Sequence, residues 1–233
     1  MFVISSNMIQ DCAVSVPGSK SYTHRVFIAA ALADGTSQIV NALRSEDTEL
    51  TMGALRQMGV PIQCEAEEIE IGGLGGRFSA TTDPIYLGNS GTSMRLLISM
   101  AALGKGEYIL TGTQRMQERP VEALIDSLMQ IGVPVRSIHQ NGCPPLVVTG
   151  GSVKGGQVAI DCSVSSQFLS SLLLLAPLTQ SGLDIRVSKG PVSKPYIDLT
   201  IDIMLQFGLQ VERDGYDRFR LRTWHKVHVG EPV

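Results

Sequence analysis

The sequence predicts an α/β fold of three repeated β-α-β-α-β-β units packed around buried helices. Glycines that end a helix recur 73 and 76 residues apart, at Gly59, Gly132 and Gly208. Serine-rich turns recur 71 and 73 residues apart, at Ser19, Ser90 and Ser163. Two sets of markers with nearly one period indicate a structural repeat, and the differing residues between them exclude low complexity. Because the three turns are equivalent, we expect the helix starts that follow them to converge on one face.

Alternating apolar residues predict the strands of the first unit, and apolar residues three and four apart predict its helices. Ser45 is a favourable N-cap, followed by three acidic residues where the helix dipole favours negative charge. The predicted elements are, in order, a strand at Ala13–Val16, an apolar helix from about Tyr22 to Ala33, a strand near Gln38–Val40, an amphipathic helix between Ser45 and Gly59, and strands at Ile69–Ile71 and Ile85–Leu87.

The same order of elements returns twice. The second unit has a turn at residues 88–93, a helix at Met94–Leu103, a strand at Glu107–Leu110 and a helix with Pro120 at its first position. The third unit has, in order, a turn at residues 161–166, an apolar helix at Gln167–Leu175, a strand near Leu183–Val187, a helix opened by Pro195, and strands at Arg218–Arg222 and Lys226–Val229. The chain stops where a fourth unit would begin, which indicates part of a longer protein.

Three helical segments have almost no polar face: Val26–Leu32, Leu96–Leu103 and Phe168–Leu175. A helix that is apolar all round is normally buried on all sides, whereas an amphipathic helix covers a core. We therefore predict that these three segments form the centre of the fold and that the glycine-ended helices lie outside them.

The composition limits the classes of function. The 233 residues are 43% hydrophobic, which is enough for a sizeable core, and the 24 glycines with only 5% aromatic residues suit an α/β protein with tight turns. The net charge of −3 gives no sign of a nucleic-acid surface. An anionic ligand would therefore be held by locally placed cations.

The cysteines and histidines predict neither a disulfide framework nor a metal site. His225 and His228 are three residues apart, but no second ligand pair accompanies them. The N-terminus lacks a basic region typical of a signal peptide, and the longest apolar run, near Leu172–Leu178, is too short to cross a membrane. We expect a cytoplasmic protein, without membrane contact, whose free, buried thiols are Cys12, Cys64, Cys143 and Cys162.

The turn before the first helix is suited to binding an anion. Gly18 lets a ligand approach the backbone, Ser19 and Ser21 can cap the helix, and the helix start offers unpaired N–H groups. Lys20 and Arg25 can both face that start. The alternative is an ordinary serine cap beside a solvated lysine. A nucleotide P-loop is excluded because Ser19 separates the glycine from the lysine and no glycine stands five residues earlier.

Two arginines flank a second polar segment just before Pro120. If Pro120 opens a helix, Arg115 and Arg119 add to an anion site rather than to the helix dipole. The alternative is a surface loop with an Arg–Glu pair. Arg95, just inside the second unit's first helix, is interpreted as a structural tether.

The third unit offers two further polar helix starts. Ser165, Ser166 and Gln167 present hydroxyls, an amide and backbone N–H groups, and Ser193 lies just before a helix that begins with Pro195. The alternative for both is a cap on a buried helix or a surface turn. Since no nucleophile–base pair and no paired carboxylates accompany these groups, the pattern favours binding of a multiply anionic small molecule over complete chemistry.

Together these turns resemble those of the enolpyruvyl transferases, in family order and over nearly the whole chain. The resemblance is strongest to the branch that acts on shikimate 3-phosphate and much weaker to the transferases that act on UDP-N-acetylglucosamine. The segments that carry it are Pro17-Gly18-Ser19-Lys20-Ser21 with Arg25, Gly88-Asn89-Ser90-Gly91-Thr92-Ser93-Met94-Arg95, Arg115-Met116-Gln117-Glu118-Arg119-Pro120, Ser163-Val164-Ser165-Ser166-Gln167-Phe168-Leu169, and Val192-Ser193-Lys194-Pro195-Tyr196-Ile197-Asp198.

The resemblance implies one domain of an inverted α/β barrel and assigns its site residues by motif. Lys20 would be catalytic and would contact both substrates, with no metal or organic cofactor. The residues implied for shikimate 3-phosphate are Lys20, Ser21, Arg25, Ser165, Ser166, Gln167, Ser193 and Tyr196. The residues implied for phosphoenolpyruvate are Lys20, Asn89, Gly91, Thr92, Arg119 and Gln167.

The resemblance also implies a second domain that this sequence lacks. In the family that domain supplies the acid–base carboxylates, a catalytic lysine and further arginines, so the isolated chain is expected to be inactive. Residues 1–16 would be a strand of, or link to, that domain, 17–223 the shikimate-3-phosphate-binding domain, and 224–233 the crossover. The full-length enzyme would transfer the enolpyruvyl group to the 5-hydroxyl of shikimate 3-phosphate in chorismate biosynthesis. The alternative is a stand-alone, non-catalytic binding module or one half of a split enzyme.

Overall fold

The computed structural model describes residues 16–65 and 68–223. The predicted strands at residues 13–16 and 226–229 lie wholly or almost wholly outside this part of the chain. The helices are α1 (Lys20–Leu32), α2 (Glu46–Gln57), α3 (Gly91–Ala101), α4 (Glu122–Gln130), α5 (Gln167–Leu175) and α6 (Pro195–Gln206). The strands are β1 (Asp34–Val40), β2 (Ile62–Glu65), β3 (Glu68–Leu74), β4 (Ile85–Tyr86), β5 (Gly106–Thr111), β6 (Val135–Ser137), β7 (Leu146–Gly150), β8 (Gly156–Asp161), β9 (Leu183–Lys189), β10 (Glu212–Asp214) and β11 (Arg218–Leu221).

The three units form three sheets with one topology, as the sequence repeat predicts. The sheet orders are β4-β5-β7-β6 in the second unit and β8-β9-β11-β10 in the third. In both, the first two strands are parallel and the other neighbours antiparallel. The first unit has the corresponding order β1-β3-β2, with three strands among the described residues.

The first helix of each unit lies in the core, which confirms the prediction from the three apolar segments. α3 contacts both α1 and α5, and every residue of Phe168–Leu175 is buried. Val26–Leu32 and 96–102 are also buried, and only Leu103, at the end of the second segment, is partly exposed. Burial of each large apolar side chain stabilises the fold by about 1.5–3 kcal/mol, so these helices supply much of its driving force.

The same close contact joins the last strand of a unit to its first helix in two of the units. Gly73 on β3 lies against the carbonyl groups of Ala30 and Ala33 at the end of α1. Gly150 on β7 lies in the same way against the carbonyls of Ala101 and Gly104 after α3. In both places an added Cβ would stand well under 3.0 Å from backbone atoms. Only glycine fits this approach.

Several sequence-based boundaries are wrong. α3 starts at Gly91 rather than Met94, because Ser90 caps it by accepting a hydrogen bond from the Ser93 amide. Pro120 is not the first residue of α4, which starts at Glu122. Val121 is the N-cap instead, with a non-helical φ of −132°, and its amide donates to the Gly142 carbonyl at 2.9 Å. The strands β2, β6, β7, β8 and β10 were not predicted as separate elements. β4, which was predicted as the last strand of the first unit, pairs with β5 and belongs to the sheet of the second unit.

Cys143 and Cys162 are free and buried, as predicted, but the expectation of a buried thiol is wrong for Cys64, which lies exposed on β2. Within residues 16–65 and 68–223, no three histidine, cysteine or acidic side chains are grouped as metal ligands would be. Cys12, His225 and His228 lie outside those ranges. Among the described helices, none combines the length and the apolar character needed to span a bilayer.

Candidate functional site

The starts of α1, α3 and α5 are joined by side-chain hydrogen bonds. Gln167 donates its amide to Thr92 Oγ1 at 3.0 Å and accepts from Arg95 Nη1 at 2.9 Å, which links α5 to α3. Arg25 donates to Ser170 Oγ at 3.2 Å, which links α1 to α5. The repeat therefore brings the three helix starts together, and their free N–H groups give this face positive potential.

Arg25 is a fully buried cation in this cluster. Its guanidinium donates through Nε to Thr200 Oγ1 at 2.7 Å and through Nη1 to the Ser21 carbonyl at 2.9 Å, in addition to Ser170. No carboxylate of the described residues forms an ion pair with it. Burial lowers the pKa of Arg25 to about 10. A buried charge without a counterion is costly, so this geometry favours an anionic ligand.

Tyr196 and Ser193 lie on the third-unit side of the cluster. The Arg25 Cζ atom is 5.9 Å from the centre of the Tyr196 ring, and the Tyr196 carbonyl accepts a hydrogen bond from Thr200 at 2.7 Å. Ser193 is exposed and has a φ of 53°, an unfavourable value for a residue other than glycine. Strain of this kind is concentrated at functional sites. The neighbouring Val192 amide donates to the Cys162 carbonyl at 3.2 Å, which holds this loop beside the turn before α5.

The turn before α5 carries two buried serines. Ser165 accepts a hydrogen bond from the Gln167 amide at 3.2 Å, whereas Ser166, the N-cap residue, makes no side-chain cap bond. Both serines are less than a tenth exposed. The Ser165 hydroxyl therefore accepts from the backbone at the start of α5, whereas the Ser166 hydroxyl makes no such cap bond.

Lys20 is the exposed cation of the cluster. Its Nζ donates to Asp47 Oδ2 at 2.9 Å, and half of its side-chain surface is accessible to solvent. An exposed pair of this kind is worth no more than about 1 kcal/mol, so Lys20 can exchange Asp47 for a stronger anion at little cost. Ser21 lies in the first turn of α1, and Ser19 caps that helix by accepting from the Tyr22 amide at 3.4 Å.

Arg119 lies at the start of α3 rather than at the start of α4, where the sequence placed it. Its Nη1 donates to the backbone carbonyl of Asn89 at 3.4 Å. A Cβ added to Gly91 would stand 2.6 Å from the same Nη1 atom and 3.4 Å from Nη1 of Arg95. Burial, and then the charge of Arg119, lower the pKa of Arg95. Two guanidinium groups thus border the backbone of Gly91. Arg95 also holds Gln167, a partner that the sequence interpretation of a structural tether did not name.

Gly18 has a packing role that the sequence did not predict. Its backbone lies against the carbonyl of Asn41 and the amide of Leu43, where an added Cβ would stand within about 3.0 Å of backbone atoms. Gly18 is therefore required for packing the turn against the loop after β1, and its approach to a ligand stays a prediction.

His24, next to Arg25, is the other titratable residue buried in α1. Burial lowers its pKa from 6.5 to about 4. Between these values the unfolded chain binds a proton that the folded chain does not, so stability falls as the pH falls. We expect the difference in unfolding free energy between the native chain and His24→Asn to change by roughly 3 kcal/mol from pH 6.5 to 4. Urea unfolding at several pH values tests this, and a difference that does not vary with pH would contradict it.

Residues 7–228 match the family model described as EPSP synthase (3-phosphoshikimate 1-carboxyvinyltransferase). The chain belongs to the EPSP synthase family. A 3-phosphoshikimate 1-carboxyvinyltransferase of Methanoculleus marisnigri is 45% identical over 214 residues, which are 91% of this chain and 50% of that protein. Its counterpart from Photobacterium damsela is 45% identical over 209 residues, 88% of this chain and 49% of the relative.

A solved EPSP synthase from Acinetobacter baumannii has the same fold over the matched region. The TM-score is 0.82 at 32% identity, over 93% of this chain and 48% of the other. The chain spans about half the length of the curated relatives it matches. This agrees with the expectation that it corresponds to one of two domains.

Sequence reasoning missed the residues that hold the EPSP synthase motifs in place. Thr200 and Ser170 bind Arg25, and Asp47 binds Lys20. A serine inside the leucine-rich helix α5 is a signal that could have been used, because a buried hydroxyl needs a partner. Nothing local to Thr200 or Asp47 points to their roles.

Proposed function

We propose that this chain is the shikimate-3-phosphate-binding half of a 3-phosphoshikimate 1-carboxyvinyltransferase, an enzyme of chorismate and aromatic amino acid biosynthesis. The observation that carries the proposal is Arg25, a buried guanidinium without a carboxylate partner among the described residues, at the point where α1, α5 and α6 meet. A ligand with one phosphate and one carboxylate supplies the missing negative charge. Membership of the EPSP synthase family supports shikimate 3-phosphate as that ligand.

The geometry supports a division of the site into two anion subsites. For shikimate 3-phosphate, the hydroxyls of Ser165, Ser166 and Ser193 take the phosphate, while Arg25 and Gln167 face the ring. Lys20 and Ser21 lie at the α1 start, and Tyr196 lies beside Arg25. Serine hydroxyls and helix N-termini bind phosphate well.

The start of α3 forms the subsite proposed for phosphoenolpyruvate. Gly91 leaves the backbone open beneath Arg119, and Asn89 and Thr92 shape the turn around it. Lys20 and Gln167 serve both subsites. The larger number of polar groups belongs to the shikimate 3-phosphate side.

The proposed reaction adds the shikimate 5-hydroxyl oxygen to C2 of phosphoenolpyruvate while C3 gains a proton. Loss of phosphate from C2 and of a proton from C3 then restores the double bond. This chain orients both substrates and places Lys20 near their charges, and the proton transfers need a general acid and base from the other half of the enzyme.

We expect the isolated chain to bind the two substrates unequally and to show no turnover. The phosphoenolpyruvate subsite lacks the cations of the other domain, and loss of two charge-assisted contacts costs about two to four powers of ten in affinity. Calorimetry should give saturable shikimate 3-phosphate binding and no saturable phosphoenolpyruvate binding. Equal affinities would show that the subsites are wrongly assigned, and turnover by the chain alone would refute the half-enzyme proposal.

The second candidate is one half of a split enzyme or a stand-alone binding module, which the half-length match to relatives makes reasonable. Mixing this chain with a polypeptide that carries the other half of a relative distinguishes half of an enzyme from a stand-alone binding module. Restored turnover supports an enzyme half. Binding of shikimate 3-phosphate with no turnover in the mixture supports a binding module.

A further inference from the structure

A continuous chain of buried hydrogen bonds runs from α1 through α2 to the start of α3. His24 Nδ1 is 2.8 Å from Thr51 Oγ1, Thr51 Oγ1 is 2.7 Å from Ser93 Oγ, and Ser93 Oγ is 2.6 Å from Ser90 Oγ. All four residues are completely inaccessible to solvent. Short polar contacts in an apolar interior are strong and directional, so this chain fixes the three helices against each other.

The protons in the hydrogen bonds from His24 to Ser90 have one favourable arrangement. His24 Nε2 is buried and has no partner among the described residues. A buried, unpaired N–H is rarer than an unpaired lone pair, so we place the proton of the neutral ring on Nδ1, from which it is donated to Thr51. Thr51 then donates to Ser93, and Ser93 to Ser90. Burial of the ring, which lowers the pKa of His24, keeps it neutral near pH 7.

Each end of this chain touches one of the two proposed subsites. His24 precedes Arg25 and lies one helical turn after Lys20. Ser90 stands between Asn89 and Gly91, beneath Arg119. Asp47 lies beside both ends, because its carboxylate accepts a hydrogen bond from Lys20 Nζ at 2.9 Å and its backbone carbonyl is 3.3 Å from Ser93 Oγ, a longer contact than the one that Ser93 makes with Ser90.

We propose that His24 is a positioning residue that holds the turn at residues 89–91 in place relative to Lys20 and Arg25. It acts by donating Nδ1–H into the chain of Thr51, Ser93 and Ser90. The claim that His24 thereby sets the spacing of the two substrate subsites rests on the proposed function. The claim that His24 holds the turn in place is independent of the proposed function and can be measured on the protein without ligand.

The test compares His24→Asn, which keeps a donor close to the place of Nδ1, with His24→Leu, which has none. Backbone amide NMR of the unliganded chain should show exchange of the hydrogen-bonded amides of Ser90, Ser93 and Met94 faster by about tenfold or more in His24→Leu. His24→Asn should restore the native rates. Ring-nitrogen NMR of the native chain should show His24 neutral, with the proton on Nδ1.

A buried hydroxyl pair elsewhere provides the matched control. Ser99 and Ser171 are 2.6 Å apart between α3 and α5, away from the turn, so Ser99→Ala should leave exchange of the Ser90, Ser93 and Met94 amides unchanged. If His24→Leu does not fold, Thr51→Val against Thr51→Ser breaks and keeps the next link of the same chain. Unchanged turn amides in His24→Leu or Thr51→Val, or a proton on Nε2, would overturn the proposal.

Shikimate 3-phosphate and phosphoenolpyruvate titrations then separate this inference from the proposed function. With shikimate 3-phosphate present, phosphoenolpyruvate should change the NMR chemical shifts of the amides at residues 89–92. These changes should require an about tenfold higher concentration of phosphoenolpyruvate in His24→Leu than in His24→Asn. Equal concentrations in the two variants would overturn the claim that His24 sets the spacing of the two subsites. Failure of the native chain to bind shikimate 3-phosphate would overturn the proposed function, while the measurements without ligand still decide the role of His24.

Discussion

Replacing Arg25 with alanine is expected to reduce shikimate 3-phosphate binding by about two to four powers of ten, because two charge-assisted contacts of roughly 1.5–3 kcal/mol each are lost. Arg25 is the only fully buried arginine among the described residues, and its three protein contacts leave donors free for a ligand. Isothermal calorimetry of the 233-residue chain measures the effect.

The variant should still fold. Thr200 and Ser170 are already hydrogen-bonded to each other at 2.9 Å and keep that bond without the guanidinium, and removal of a desolvated charge offsets part of the lost packing. Thermal unfolding checks this, and Arg136→Ala on the exposed edge of β6 is the matched control, with native binding expected. Normal binding by Arg25→Ala would show that the anion site is elsewhere.

Replacing Gly73 or Gly150 with alanine is expected to unfold the protein or to destabilise it by more than about 4 kcal/mol, at the upper limit for point substitutions. Each added methyl group would overlap two backbone carbonyls at the end of a buried helix. Backbone cannot move aside as a flexible side chain can, so the strand would have to leave its helix. Circular dichroism with urea titration measures the loss.

Gly53 provides the control for these substitutions. It lies within α2, and an added Cβ would meet nothing within 4 Å. Gly53→Ala should stabilise the protein by about 0.5–1 kcal/mol through the higher helix propensity of alanine. Similar stabilities for Gly73→Ala and the native chain would mean that β3 does not approach α1 as closely as the structure shows.

The sequence alone was sufficient for the elements whose causes are local. The serine caps, the glycines after α2, α4 and α6, and the apolar segments of α1, α3 and α5 depend on residues within a few positions of each other. Their repetition at one period also identified the three units. Boundaries failed where a distant group intervened, as after Pro120, where Val121 bonds to the Gly142 carbonyl and α4 starts only at Glu122.

Tertiary structure decided which polar groups meet. Arg25 finds partners 145 and 175 residues away, Arg119 reaches the start of α3, and Gly18 packs against the loop after β1. From the sequence, His24 is an ordinary helix residue. Its hydrogen bond to Thr51, and the bond from Thr51 to Ser93, are seen only in the folded structure. Periodicity and caps are encoded by near neighbours along the chain, whereas these pairings exist only after the helices have packed, so their partners cannot be chosen from the sequence.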